Sequence, residues 1–438
     1  MKSVKLPASP DMVIVDARLV TPSRLVKTNV VVDDGKIAGL TRSTVSGAGE
    51  EIHLPRSSLL LPGIVDIHAH MRDLELSYKG DFESEGGAAA VGGVTTVVDM
   101  PNSRPPTLDQ ETFELKKNSA RGRCPVDYGL NVGVYHNLDQ LESVAGCLAY
   151  GEVFVGPSTG GLVIKYEELA EALRVAVRTG RVVYVHAEDA SFFRKPGDGY
   201  DHCHARPPES EWRAVEKVLR INRGIGARVH ICHVSTRTSL EIISRYKKMG
   251  MPVTCEVTPH HLVLTEEAYH SLGPVAKMNP PLRGPTDVEA MILGISSGEI
   301  DVISTDHAPH TLEEKQSEPD APSGVPGFET IIPAVLTYFE DRQVPPTRFV
   351  RLTSTKPARL LGLEGKGFGV GRDADFVVVE RKRRAVNPDF FLSKAKYSPF
   401  EGMELRYWPV MTIVRGSVVA EAGDVIIKNR GAFLPPSR

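Results

Sequence analysis

The sequence predicts an α/β protein, a parallel (β/α)8 barrel accompanied by a small composite β-sandwich domain from both termini. Three observations predict it. Apolar, strand-like runs alternate with helix-period segments through the middle of the chain. Short strands joined by turns occupy both ends. Histidines and an aspartate stand where the buried-looking runs stop.

The elements follow in order. Met12-Val13-Ile14-Val15, residues 26–32, a turn at Asp33-Asp34-Gly35 and a run from Lys36 read as a small antiparallel sheet. The character changes at Ser58-Leu59-Leu60-Leu61-Pro62-Gly63. From there to about Leu363, strands such as 95–100, 181–186, 229–234, 252–257 and 301–305 alternate with helical segments such as 166–178 and 212–223. Repeated β/α units favour a barrel of the TIM type, with an open doubly wound sheet as the alternative. Strands return after Leu363, at Ala374 to Val379, Pro409 to Val414, Val418-Val419 and Val425-Ile426-Ile427. The expected domains are therefore residues 1–58 and 365–438, forming one β domain, and 59–364, forming the barrel. The glycine-rich stretch 365–371 imitates a nucleotide loop but lacks the strand and helix around it, so it reads as a linker or turn.

Composition narrows the function. The 438 residues are 41% hydrophobic and 24% charged with a formal net charge of −3, which offers no footprint for nucleic acid or an anionic membrane. The densest basic run, Arg381-Lys382-Arg383-Arg384, reads as a solvated turn after a strand. No apolar run is long enough for a membrane span, and no secretory leader is expected behind Lys2 and Lys5. Five widely spaced cysteines without a CxxC pair suit reduced thiols in a cytoplasmic protein.

In a parallel barrel, function collects at the C-terminal ends of the strands. Val65-Asp66-Ile67-His68-Ala69-His70 places two histidines two apart on one strand, so both imidazoles project to one side. Alone, such a pair also suits satisfied core residues. His186, His233 and Asp306 then end three further strands, and four histidines with an aspartate form a nitrogen–oxygen set of the kind zinc takes.

This order resembles the amidohydrolase superfamily, and the local motifs resemble its dihydroorotases over essentially the whole chain. They include 66–73, 92–96, Met100-Pro101-Asn102, Cys232-His233-Val234-Ser235, 256–262, 279–283, 305–310, 323–329 and 398–402. The resemblance implies two zinc ions per chain. His68, His70 and Asp306 would hold the more buried one, His186 and His233 the more exposed one. The family normally bridges the two with a carboxylated lysine or an aspartate, but the corresponding position here holds Glu152. Glutamate keeps the negative charge on a shorter side chain. Three readings stay open: Glu152 bridges, it binds one metal with the second site weakened, or the enzyme is impaired or repurposed. Lys165 lies too far along the chain to substitute and reads as a surface residue.

The resemblance also implies the substrate contacts. Arg72, Asn102 and His310 would grip a substrate carboxylate, a trio that dihydropyrimidinases and hydantoinases lack; arginine suits this by its bidentate fork. Arg72 paired with Asp73 or Glu75 is the structural alternative. Asn279 would contact the pyrimidine ring, and the backbone near Pro326 and Gly327 would read its amide edge. Asp306 would act as general base and then general acid. The implied reaction is the zinc-dependent, reversible closure of N-carbamoyl-L-aspartate to L-dihydroorotate. A related allantoinase or hydantoinase activity is one alternative, and a non-catalytic scaffold for aspartate carbamoyltransferase another. A homo-oligomer is expected, with a carbamoyltransferase complex possible. Asp201-His202-Cys203-His204 imitates a metal cluster but reads as loop, and residues 311–324 read as a mobile loop near the pocket. His260, His261 and His307 are left without a role.

Overall fold

In the computed structural model, residues 6–194, 201–317 and 320–436 are described. The N-terminal strands are β1 (Met12–Val20), β2 (Leu25–Asp33), β3 (Lys36–Thr41), β4 (Glu50–His53) and β5 (Leu59–Pro62). The middle of the chain supplies β6 (Ile64–Ala69), β7 (Val94–Asp99), β8 (Asp127–Leu130), β9 (Ala149–Phe154), β10 (Val182–His186), β11 (Arg228–Ile231), β12 (Val253–Val257) and β13 (Val302–Ile303). The C-terminal strands are β14 (Phe376–Ala385), β15 (Glu404–Val414), β16 (Ser417–Glu421) and β17 (Asp424–Val425).

The protein is α/β with parallel central sheets. β6-β7-β8 form one and β9 to β13 the other. Their edges meet on both sides, through parallel bridges Val132↔Tyr150 and Ala69↔His307. All six residues of β6, β7 and β9 are buried, which is why these strands read as continuous apolar runs: helices and neighbouring strands cover both faces. The helix Tyr166–Thr179 shows how a cover is built. Leu169, Ala172, Leu173, Val175 and Ala176 recur on one face and are buried, and Gly180 at φ 70° ends it.

Both chain ends enter one nine-stranded sheet, in the order β17-β16-β15-β14-β5-β1-β2-β3 with β4 on β1. The expected sandwich is thus a single hydrogen-bonded sheet. It curls until Lys36 bridges Asp373, enclosing Ile14, Leu19, Val32, Leu60, Phe376 and Ile413. β5 pairs with β1 and β14, so Leu59–Pro62 lies in this sheet although the sequence groups it with the barrel.

Within the glycine-rich 365–371 stretch, Lys366 is buried. Its Nζ contacts Asp127, Asp373 at 3.0 Å and Asp375 at 2.8 Å, tying the start of β8 to the base of β14. Segment 311–324 is not all loop: Leu312–Lys315 is helical and capped by Thr311, while Glu318 and Pro319 lie outside the described residues. Asp201 likewise caps a short helix, His202–Ala205. Among the described residues no helix is long and apolar enough to cross a membrane. All five cysteines are buried and unpaired.

Candidate metal centre and active site

The ligand candidates converge at one end of the parallel strands. His68 lies in β6 and His70 just beyond it; the residue between them points away, as a two-residue period requires. His186 closes β10, and His233 and Asp306 follow β11 and β13. Asp66 anchors this end. Its carboxylate accepts from the backbone N–H of His68 at 3.2 Å and from that of Thr305 at 3.2 Å, fixing β6 against β13. Arg72, His233 and Asp306 adopt φ of 60°, 33° and 48°. Left-handed backbone at three bulky residues is strain that the surrounding packing must impose, and it aims their side chains into the cleft.

Glu152 occupies the centre. Its Oε1 lies 3.0 Å from His186 Nδ1 and 2.9 Å from His233 Nε2. Its Oε2 faces the other pair, 3.6 Å from His68 Nε2 and 3.9 Å from His70 Nε2. Asp306 Oδ1 completes the second group, 3.1 Å from His70 Nε2 and 3.4 Å from His68 Nε2. One carboxylate therefore divides its two oxygens between two sets of ligand atoms.

The donor set fits cations. His68, Glu152 and His233, and His68, His70 and Asp306, each bring ligand atoms within 4.8 Å of one another. His68 Nε2 is buried without a hydrogen-bond partner, as a nitrogen reserved for a metal would be. The electrostatics agree. Burial alone would raise the carboxyl of Glu152, yet His68, His186 and His233 hold it well below the usual carboxylate range. Burial likewise opposes ionisation of Asp306, but His68 and His70 bring it to about 2. Burial disfavours charge on His68, yet Glu256, Asp306 and Glu152 raise it well above the usual imidazole range. Ionised carboxylates this deeply buried require positive charge among them.

Two carboxylates orient the histidines from behind, and the sequence reading assigned neither. Glu256, in β12, contacts His68 Nδ1 directly and lies 3.1 Å from His230 Nε2. Glu188 lies 2.9 Å from His186 Nε2 and is held by Arg206 at 2.6 Å. Such partners fix ring orientation and tautomer. The spacing of Glu188, two residues after a strand-end histidine, was an available signal. Glu256 sits inside a buried strand, and only the β11–β12 register brings His230 to it.

The cleft beside this cluster is lined by Arg72, Asn102 and Asn279 together with His70, Glu152, His186, His233 and Asp306. Arg72 is buried, donates Nε–H to Pro309 O at 3.0 Å, and has Nη2 3.1 Å from His310 Nε2. It forms no ion pair with Asp73, whose carboxylate instead meets Arg123 and Ser119. His310 stands behind Arg72 outside the lining, with Lys79 Nζ 3.1 Å from its Nδ1. Burial, with the Arg72 guanidinium, holds its pKa well below the usual imidazole range. Asn102 has a double duty: Oδ1 lies 2.6 Å from His70 Nδ1, and Nδ2 donates to Thr159 O at 3.2 Å.

Pro326 and Gly327 do not face the cleft; Ser323 and Gly324 do. Gly327 packs on β13, where a Cβ would meet that of Thr305 at 2.8 Å, and its N–H is directed at His307 Nδ1 at 3.1 Å. His307 stacks on Phe328 and pairs with Glu85, a structural role. Lys165 is exposed ahead of its helix.

Comparison with known proteins agrees with this geometry. The amidohydrolase family profile matches residues 59–419. The chain is 37% identical to a dihydroorotase of Methanosarcina mazei, over 97% of this chain and 98% of the relative. It is 34% identical to a dihydroorotase of Pyrococcus furiosus, over 96% and 95%. Among solved structures, an L-hydantoinase (dihydropyrimidinase) from Arthrobacter aurescens superposes with a TM-score of 0.91 at 31% identity, covering 97% of this chain and 99% of that one.

Proposed function

The chain belongs to the amidohydrolase family, and from that premise we propose that it interconverts N-carbamoyl-L-aspartate and L-dihydroorotate, the dihydroorotase reaction of pyrimidine synthesis. One observation carries the choice of substrate. A buried arginine, Arg72, shares a cleft with the histidine–carboxylate cluster. A buried guanidinium facing a cleft calls for an anion, and its fork matches a carboxylate.

The two bridged parallel sheets are read as one closed (β/α)8 barrel within 59–364, with 1–58 and 365–438 forming the β domain that β5 also joins. His68, His70 and Asp306 would hold one zinc ion and His186 and His233 a second. Glu152 would offer Oε2 to the first and Oε1 to the second. Bound there, the metals supply a water acid enough to ionise near neutral pH. The remaining steps belong to the chain. Arg72 and Asn102 hold the substrate carboxylate and fix the ring relative to Asp306. Asp306, ionised at neutral pH, accepts a proton from the attacking water and returns it to the ring nitrogen as the C–N bond breaks. In the opposite direction the C–N bond forms, a C–O bond breaks and water leaves. Five buried, unpaired cysteines support a reducing, cytoplasmic setting.

The structural likeness to a hydantoinase favours a second reading, a cyclic amide without a carboxylate. Assay of the zinc-loaded protein on dihydroorotate and carbamoyl-aspartate, against hydantoin, dihydrouracil and allantoin, separates the two. Turnover of the carboxylate substrates is expected to dominate; preference for hydantoin, dihydrouracil or allantoin would overturn the proposal.

A further inference from the structure

We propose that Lys315 is a positioning residue that clamps the substrate-reading loops of the cleft, an assignment that rests on the carboxylate-substrate reading above. Lys315 ends the short helix Leu312–Lys315, whose start is fixed by reciprocal capping between Thr311 and Glu314. It is 0% exposed. Its Nζ donates to three backbone carbonyls, Lys277 O at 2.9 Å, Pro322 O at 2.9 Å and Gly324 O at 3.0 Å. Three acceptors surround the amine, although burial, with Lys277 and Arg72 nearby, pushes its pKa well below the usual lysine value. Among the described residues no carboxylate pairs with it, so no ion pair offsets its desolvation. An apolar side chain would pack there at less cost. What the lysine contributes is one side chain that ties the carbonyls of 277, 322 and 324 together at a single point.

Those segments form the wall of the cleft. Gly324 N–H donates to Lys277 O at 3.0 Å, and Tyr397 O–H donates to Gly324 O at 3.1 Å, so the same junction is held from two further sides. Two residues beyond Lys277, Asn279 accepts from Ser323 Oγ at 3.1 Å and donates Nδ2–H to Ser158 Oγ at 3.2 Å. Ser323 O lies 3.1 Å from His310 Nε2, directly behind Arg72. Asn279, Ser323 and Gly324 all line the cleft. The lysine stands one layer back from Asn279, Ser323 and Gly324 of the cleft wall. It touches none of the residues around Glu152, so its loss should act on substrate binding and leave the metal cluster intact.

Lys315→Met keeps an unbranched stem one atom shorter and removes the amine; Tyr397→Phe removes only the hydroxyl. With L-dihydroorotate as substrate, Lys315→Met is expected to raise KM about tenfold or more, with kcat within about threefold and zinc content unchanged. Tyr397→Phe should raise KM in the same manner by a smaller factor. A KM unchanged in Lys315→Met overturns the assignment, and so does a fall in kcat that tracks lost zinc. If Lys315→Met does not fold, Tyr397→Phe decides alone: a raised KM at constant kcat sustains the clamp, and an unaltered KM overturns it. Wild-type protein that leaves both carbamoyl-aspartate and dihydroorotate untouched condemns the reading of the reaction instead, which keeps the two failures apart.

Discussion

Replacing Glu152 by glutamine tests the centre of the site. The amide keeps the shape of the side chain, but one oxygen becomes an NH2 group that can only donate. Whichever way it turns, it opposes either His186 and His233, now 3.0 and 2.9 Å from Oε1, or His68 and His70, now 3.6 and 3.9 Å from Oε2. Losing a partner one shell out from a metal costs roughly 10–100-fold in affinity, and a ligand shared by two metals should cost at least the upper figure at each. At a free zinc concentration about 100 times the wild-type Kd, binding stabilises the folded protein by about 2.7 kcal/mol per site. A 100-fold weaker site keeps only about 0.4 kcal/mol under the same conditions. Dialysis against buffered zinc followed by metal counting should therefore give two ions per wild-type chain and well under two for Glu152→Gln. The gap between melting curves in zinc and in chelator should nearly close in the variant. Two ions bound with wild-type stabilisation would refute the bridge. Loss of one ion with the other held at wild-type affinity would refute it too, and would assign Glu152 to a single metal.

Arg72→Met should raise KM for dihydroorotate about 100-fold or more, because truncating one partner of a buried charged pair costs roughly 2–5 kcal/mol; unchanged kinetics would remove the carboxylate from the argument. Lys366→Met removes the buried cation shared by Asp127, Asp373 and Asp375; Arg415 still pairs with Asp127 and Lys36 with Asp373, so the loss should fall at or below the roughly 3–5 kcal/mol of a fully broken buried pair. A urea midpoint close to wild type would show that the cluster does not join the two parts of the fold. Burial pushes the Glu329 carboxyl up to about 8. A carboxyl raised on folding gives stability that is complete below its unfolded pKa and lost as pH rises through the folded value. Glu329→Gln should thus gain on wild type in urea unfolding between about pH 4.5 and 8, and parallel pH profiles would contradict this.

The candidate metal ligands were legible because strand geometry writes them in a local code. A period of two exposes His68 and His70 together, and a strand end is visible wherever an apolar run meets a polar residue, as at His186, His233 and Asp306. Residues held by distant partners leave no such code. Lys315 stands in a Glu-, Ser- and Pro-rich stretch that reads as solvated loop, yet its acceptors at 277, 322 and 324 bury it completely. Lys366 hides likewise in a run of glycines, since three aspartates from β8 and the approach to β14 create its burial. The shift from Pro326 and Gly327 to Ser323 and Gly324 has the same origin. The motif is local, but which of its residues faces the cleft is decided by Gly327 packing on Thr305 and by Gly324, at φ 141°, lying against Ala308 and His310.

How a glutamate reaches ligands on both sides is answered by the strand that carries it. β9 and β10 pair as Tyr150 with Val183 and Val153 with Val185, so Gly151 and Glu152 together oppose Tyr184 alone. That is a β-bulge, a device that bends a strand and re-aims a side chain. It needs its glycine. Gly151 has φ 118°, and a Cβ there would lie 2.5 Å from Tyr184 O and 2.9 Å from Val153 N. Without a side chain at 151 the two backbones close up, and the carboxylate at 152 is delivered between the two histidine pairs. Tyr184 sits inside β10, whose last residue is His186, so the bulge that places Glu152 is registered against the very strand that carries His186, 3.0 Å from its carboxylate. Glu152 and His186 are therefore placed relative to each other by one local irregularity in the pairing of their two strands.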